Sequence, residues 1–214
     1  MVERAKIIDA VKTAIEKAPE RKFSESVDIT VNLKNIDMAQ PKNRIDETIL
    51  LPHGIGKKVG IAVLGKGDII TQAREAGVDL VIGPEEIERL GGAPREARTV
   101  ASTYRFFLAE TSVMPQVGRF LGPRLGPRGR MPTPIQSGTD IKPMVERLRN
   151  SVKIRTKDRK TFHVKVGSTG MPPEQIAENI DVVLRRVESV LEQGSMNIRS
   201  VFVKTTMGPA QRLV

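Results

Sequence analysis

The sequence predicts an α/β protein of two domains, one built from both ends of the chain and one inserted between them. Three observations carry this prediction. The ends alternate apolar and polar residues, as in Ser26-Val-Asp-Ile-Thr-Val-Asn-Leu33 and Arg199-Ser-Val-Phe-Val-Lys-Thr-Thr206, which is the mark of strands with one buried face. The middle has apolar runs instead, Val59-Gly-Ile-Ala-Val-Leu64 and residues 78–82, with a helical stretch between them. That pattern belongs to parallel strands buried on both faces. A chain of 214 residues, 39% of them hydrophobic, is also long enough for two small cores. The expected boundaries are 1–65 with 155–214 for the terminal domain and 66–154 for the insertion. The two crossings, near 65 and 155, would permit a hinge.

Each element follows from local pattern. Residues 2–18 read as an amphipathic helix through Ile8, Val11, Ile15 and Ala18, and Pro19 ends it. Val27, Ile29, Val31 and Leu33 give the first strand its buried face, and residues 46–51 are expected to pair with it. In the insertion, strand 59–64 leads through Gly65-Lys-Gly67 into a helix over 68–76 and the run 78–82. Residues 105–109 read as a strand and 112–120 as a helix. After a Gly/Pro-rich stretch, 141–150 is a short helix, and 152–156 with 161–166 read as a hairpin. Pro172, Pro173 and Glu174 open the clearest helix, over 172–192, because proline suits the first turn and an acid complements the dipole. Ile176, Ile180, Val183, Leu184, Val187 and Leu191 form its apolar stripe.

Composition narrows the function. The chain has 35 Lys and Arg against 25 Asp and Glu, for a net charge of +10, and the two terminal segments carry +7 of it. Charge gathered in this way is the footprint of a polyanion binder. The densest run is Lys153-Ile-Arg155-Thr-Lys157-Asp-Arg159-Lys160, and Arg119, Arg124, Arg128 and Arg130 form a second. There is no cysteine, which excludes disulfides, thiolate metal sites and a Cys nucleophile. No apolar run approaches a membrane span. A soluble, cytoplasmic protein with no membrane partner, no cofactor and no metal is expected.

Enzyme motifs are not met. His53-Gly-Ile-Gly-Lys57-Lys58 and Gly65-Lys-Gly67 lack the spacing of a phosphate loop. Gly167-Ser-Thr-Gly170 lacks that of a nucleophile elbow. His53 and His163 are expected to be structural or to face RNA. Only 3% of residues are aromatic, so recognition by base stacking on a sheet is disfavoured. The polar faces offer Ser26, Thr30, Ser200, Lys204 and Thr206, which suit ribose hydroxyls and phosphates of a folded RNA. Two rival readings remain at this level: an RNA-binding protein that acts on its own, and a small-molecule enzyme built on the central βαβ unit.

Several motifs converge on one family. Thr205-Thr-Met-Gly-Pro209, Lys22-Phe23, Leu51-Pro-His-Gly-Ile-Gly-Lys57, Leu125-Gly-Pro-Arg-Gly-Arg-Met-Pro-Thr-Pro134, Val166-Gly167 and Met171-Pro-Pro-Glu-Gln-Ile-Ala-Glu-Asn179 occur in the order seen in the ribosomal proteins of the large-subunit side stalk. The chain resembles this L-one family over nearly its whole length, in an archaeal or bacterial form. The resemblance implies a discontinuous α+β domain (a split β-α-β sheet packed by helices) with an inserted Rossmann-like three-layer βαβ domain. It implies binding to a structured region of large-subunit rRNA, contact with exit-site tRNA as the stalk moves, and repression of the protein's own mRNA. The free protein is expected to be a monomer, and no residue is catalytic. Carried over by motif, the RNA-binding residues are Lys22, Phe23, Ser26, Lys165, Gly167, Ser200, Thr206, Met207 and Gly208. Lys22 can pair with phosphate, and the three hydroxyls can bond ribose. Phe23 and Met207 can shield those bonds from water, and Gly208 lets backbone come close. Ser168 stands where many relatives carry Lys after Val-Gly, and Lys165 or the 153–160 run can supply that charge.

Overall fold

A computed structural model describes residues 3–214. Along the chain, α1 (Arg4–Glu16), β1 (Ser26–Leu33) and β2 (Asp46–Leu50) come first. There follow β3 (Ile61–Leu64), α2 (Asp68–Glu75), β4 (Leu80–Ile82), α3 (Pro84–Gly92), α4 (Pro94–Thr103), β5 (Phe106–Glu110), α5 (Met114–Phe120), α6 (Gly122–Leu125), β6 (Thr133–Ile135) and α7 (Lys142–Arg149). The chain closes with β7 (Ser151–Arg155), β8 (Thr161–Ser168), α8 (Pro173–Val190), β9 (Ile198–Thr205) and β10 (Gln211–Arg212). No helix among the described residues is long and apolar enough to cross a membrane.

The chain divides into two compact units, one formed up to Lys57 and again from Asn150, the other spanning Lys58–Arg149. The divisions therefore fall earlier than the expected 65/66 and 154/155. Pairing explains both shifts: β3 is bonded between β4 and β5, whereas β7 is bonded to β2.

In the terminal unit, a four-stranded sheet runs β10-β9-β1-β8. Both neighbours of β1 are antiparallel to it, so β8 and β9 run parallel to each other with β1 between them. The helix α8 connects them, which completes a split β-α-β unit. Strand β1 buries every second residue, Val27, Ile29, Val31 and Leu33. Helices α1 and α8 cover that face. Helix α8 contributes the stripe expected of it, including Ile176, Ile180, Val183, Leu184 and Val187. In α1 the buried stripe is Ile7, Val11 and Ala14, while Ile8 and Ile15 sit half-buried at its margin. The expected phase is thus one residue off, within the breadth of an apolar helix face.

Two expected pairings are corrected. Strand β2 pairs with β7, not with β1, and β7 and β8 lie in different sheets rather than in one hairpin. Both edges of β1 are taken by eight-residue alternating strands. The β2–β7 ribbon has its own electrostatic seam: Asp46 meets Lys153 at 2.8 Å and Arg155 at 3.4 Å. Lys153 and Arg155, two of the five cations of the densest basic run, are therefore engaged within the protein.

The inserted unit is a parallel sheet in the order β4-β3-β5-β6. Strands β3 and β5 are buried throughout, including Glu110 at the end of β5. One core joins Ala62, Leu64, Ile82, Phe107 and Ala109 of the sheet to residues of α3 to α6. Helices α2 and α7 contact β3, and the pleat turns Ile61 and Val63 to the other side. The layers are helix, sheet, helix. Helices α3 and α4 fill residues 84–103, to which the sequence pattern assigned no element. Both open on proline with acids in the first turn.

Candidate nucleic-acid interface

The helices cover one face of the terminal sheet, and the other face is open. Cross-strand register arranges its residues in rows. The first row is Thr161, Asn32 and Ser200. The second is His163, Thr30, Phe202 and Arg212. The third is Lys165, Asp28 and Lys204. At the end lie Ser26 and Thr206, with Ser168 opposite Ser26 but buried. Within the rows the polar groups bond one another. Thr161 Oγ1 donates to Asn32 Oδ1 and Asn32 Nδ2 donates to Ser200 Oγ, both at 2.8 Å. Thr30 Oγ1 and His163 Nδ1 share a hydrogen bond of 2.8 Å. These bonds set the side chains in fixed positions on a rigid ladder, which favours binding by pre-organisation.

Six of the nine expected residues gather at the Ser26 end. The Thr206 hydroxyl accepts the Ser26 N–H at 3.1 Å and lies 3.4 Å from the Ser26 carbonyl oxygen. It thereby extends the β1–β9 ladder by one side-chain clamp. Phe23 and Met207 are 53% and 56% exposed, far more than apolar side chains inside the unit. Lys22 and Phe23 line one groove with Thr169. The remaining three are placed differently. Ser200 is on the same open face but six residues further along, about 20 Å at strand rise. Lys165 is opposite Asp28. Gly167 is buried and faces α8, where an added Cβ would lie 3.0 Å from Ile176 Cγ1, so the structure does not bring it to the open face.

Gly208 has an internal reason to be glycine. Its N–H donates to Thr205 Oγ1 at 3.0 Å, and a Cβ there would lie 2.3 Å from that oxygen. Ser168 is likewise buried, beside Gly56, whose φ is +67° and whose added Cβ would fall 2.5 Å from the Ser168 hydroxyl.

Sequence reasoning missed the residues that hold this end in place. Glu25 is buried and accepts the Met207 N–H through Oε2 at 3.1 Å. Lys57 donates from Nζ to the Ser24 carbonyl. Asn179, wholly buried, donates to the Gly54 and Val166 carbonyls at 2.8 Å each and accepts the His53 N–H at 3.3 Å. The 51–57 and 171–179 motifs are thus two halves of one brace, and the brace reaches the start of β1 through Lys57. The signal available in the sequence was a polar Asn within an otherwise apolar helix stripe. Nearby, Glu178 bonds His53 and Arg4. The His53 hydrogen bond foremost, then the Arg4 charge, holds its carboxyl below the ordinary range.

In the inserted unit, the order β4-β3-β5-β6 reverses between β3 and β5, where doubly wound sheets hold ligands beyond the strand ends. Glu110 occupies that crevice. Its carboxylate accepts the Lys66 N–H at 2.9 Å and the Ser112 and Ser137 hydroxyls at 2.7 and 3.1 Å. The Ser112 bond leads in holding its pKa low. A fixed negative charge bonded to the Gly65-Lys-Gly67 loop leaves no welcome there for a phosphate. Arg130 of the 125–134 motif donates to the Ala101, Ser102 and Tyr104 carbonyls at 2.6 to 2.9 Å, capping the end of α4.

A discontinuous helix-backed sheet with an open, polar, cationic face, carried on a chain with an inserted parallel unit, belongs to the class of binding modules. The chain belongs to the ribosomal protein L1p/L10e family, whose model matches residues 12–209. Membership places it among structural, RNA-binding ribosomal proteins rather than enzymes. It is 77% identical over 214 residues to the large ribosomal subunit protein uL1 of Methanoregula boonei, covering 100% of both chains. The protein of that name from Methanoculleus marisnigri is 74% identical, again over 100% of both chains. That from Methanosarcina mazei is 50% identical over 100% of both.

Proposed function

We propose that this protein is a component of the large subunit of the cytoplasmic ribosome, where its terminal unit binds a folded region of large-subunit rRNA to form the side stalk. Family membership supports ribosomal assembly, and the observation that carries the RNA site is the open sheet face. That face combines Lys165, Lys204 and Arg212 with pre-oriented hydroxyls and ends in the Lys22, Phe23, Ser26, Thr206 and Met207 cluster. A face of this kind reads the shape of RNA through phosphates and ribose hydroxyls, and Phe202 is the lone phenyl ring among its rows. The nine residues carried over from the motifs divide accordingly: Lys22, Phe23, Ser26, Lys165, Ser200, Thr206 and Met207 meet RNA, while Gly167 and Gly208 shape the backbone that presents them.

Two further roles belong to the same reading: contact with exit-site tRNA that assists its release, and repression of the protein's own mRNA through a mimic of the rRNA site. The free protein acts as a monomer. Co-sedimentation with large subunits, paired with footprinting on rRNA and on the protein's own messenger, tests the proposal. Protection of one compact rRNA region on sedimenting subunits is expected. Messenger binding without co-sedimentation would favour a free repressor instead.

A further inference from the structure

Glu25 is out of place in a surface built to hold a polyanion. It is only 4% exposed, and one carboxylate oxygen is spoken for, since Oε2 accepts the Met207 N–H at 3.1 Å. The other, Oε1, is buried with no hydrogen-bond partner. The same side chain lines a groove of about 530 Å³ together with Ile15, Arg21, Lys22, Phe23 and Thr169, at the end of the sheet where the RNA-contacting cluster gathers. A groove of this size is within the range of ordinary ligand sites, roughly 300–1,000 Å³.

A phosphate cannot satisfy Oε1, because an ionised carboxylate only accepts hydrogen bonds and repels like charge. A buried acceptor left unmade is costly, so a neutral donor that reaches it stabilises the complex. RNA offers such donors in the ribose 2′-hydroxyl and in the amino groups of its bases. We propose that Glu25 is a specificity-determining RNA contact: Oε1 accepts a hydrogen bond from a neutral donor of the RNA, while the Met207 N–H holds the carboxylate in position through Oε2. This inference rests on the terminal unit being the RNA-binding part. It adds that the groove beside Phe23 distinguishes one donor group from other parts of the polyanion.

The sign of one substitution separates this from electrostatics alone. Glu25→Gln removes a negative charge beside a polyanion, which by itself tightens binding. Its amide oxygen can still accept the Met207 N–H, but its NH2 then stands where Oε1 accepted. With the full chain and a transcript of the footprinted rRNA region, Glu25→Gln is expected to weaken Kd at least tenfold at fixed salt, with an unchanged melting temperature. Transcripts carrying single 2′-deoxy nucleotides, or single base analogues lacking the amino group, identify the donor. One of them should weaken binding of the unsubstituted protein about as much and lose that effect against Glu25→Gln, as a coupled pair must. Equal or tighter binding by Glu25→Gln overturns the proposal. So does weaker binding to which no RNA substitution couples, since Glu25 then acts only by holding Met207. If Glu25→Gln melts early, the RNA arm still decides: should no single substitution weaken the unsubstituted protein tenfold, the proposal is overturned. Failure of that protein to bind the transcript at all would instead overturn the RNA-binding reading beneath it.

Discussion

Thr206 places a single hydroxyl in both the strand ladder and the proposed RNA site. Placed one residue past β9, it takes the Ser26 N–H that the ladder would otherwise leave unpaired. In water that N–H finds another partner, but under bound RNA it is shut away from solvent. Thr206→Ala is therefore expected to weaken RNA binding by about 1–3 kcal/mol, with little change in melting temperature. Thr206→Ser, which keeps the hydroxyl, should bind nearly as tightly as the unsubstituted protein. Filter binding at one salt concentration reads both, and equal affinity for Thr206→Ala would remove the residue from the site. Gly208 teaches a different lesson at this scale. Its place in a motif suggested close approach to RNA, yet Thr205 Oγ1 and the backbone of Ala18 already occupy the space of a side chain.

Among elements, the brace between the 51–57 loop and the start of α8 does the positioning. Asn179 satisfies two carbonyls and one N–H that belong to two separate stretches of chain, the 53–54 turn and the end of β8. Asn179→Ala leaves those groups buried without their partner, and a loss of about 3 kcal/mol of stability is expected in urea unfolding. RNA affinity should fall with it, although Asn179 is fully buried, because Lys57 and the Ser24 carbonyl it bonds lose their anchor. A variant as stable as the parent would show that the brace is redundant. The β2–β7 ribbon makes the complementary point. Asp46 draws Lys153 and Arg155 into internal ion pairs, so the densest basic run in the sequence is not the strongest candidate for meeting phosphate. The rows of the open face, sparser in sequence, are better placed.

For the molecule as a whole, the terminal unit is closed by its own hydrogen bonds on both sides of the insertion. The Leu51 N–H donates to the Asn150 carbonyl at 2.9 Å, and Asp46 through Leu50 pair residue by residue with β7. Removing residues 58–149 and bridging the gap with a short glycine-serine linker is expected to leave a folded unit that binds the rRNA fragment within about tenfold of the full chain. Its dependence on salt should be nearly unchanged, since the cations of the open face all remain. A folded deletion that no longer binds would move the RNA site into the inserted unit.

The sequence by itself determined the kinds of layers and the character of the partner. Alternation in 26–33 and 199–206 depends only on the pleat, and the apolar run 59–64 only on being covered from both sides, so local pattern is enough to read them. The charge balance and the order of motifs likewise pointed to RNA and to the family without any contact being known. Tertiary structure alone decided which strands pair, because edges of similar polarity compete and the outcome depends on what else lies against them. That is why β2 joins β7, and why the unit boundaries fall at 57/58 and 149/150. It also decided which charges are spent inside the protein and which motif residues act as internal braces. Glu25 beside Met207, and Asn179 beneath Gly54, are partners more than a hundred residues apart along the chain, and a hydrogen bond between them exists only once the fold has brought them together.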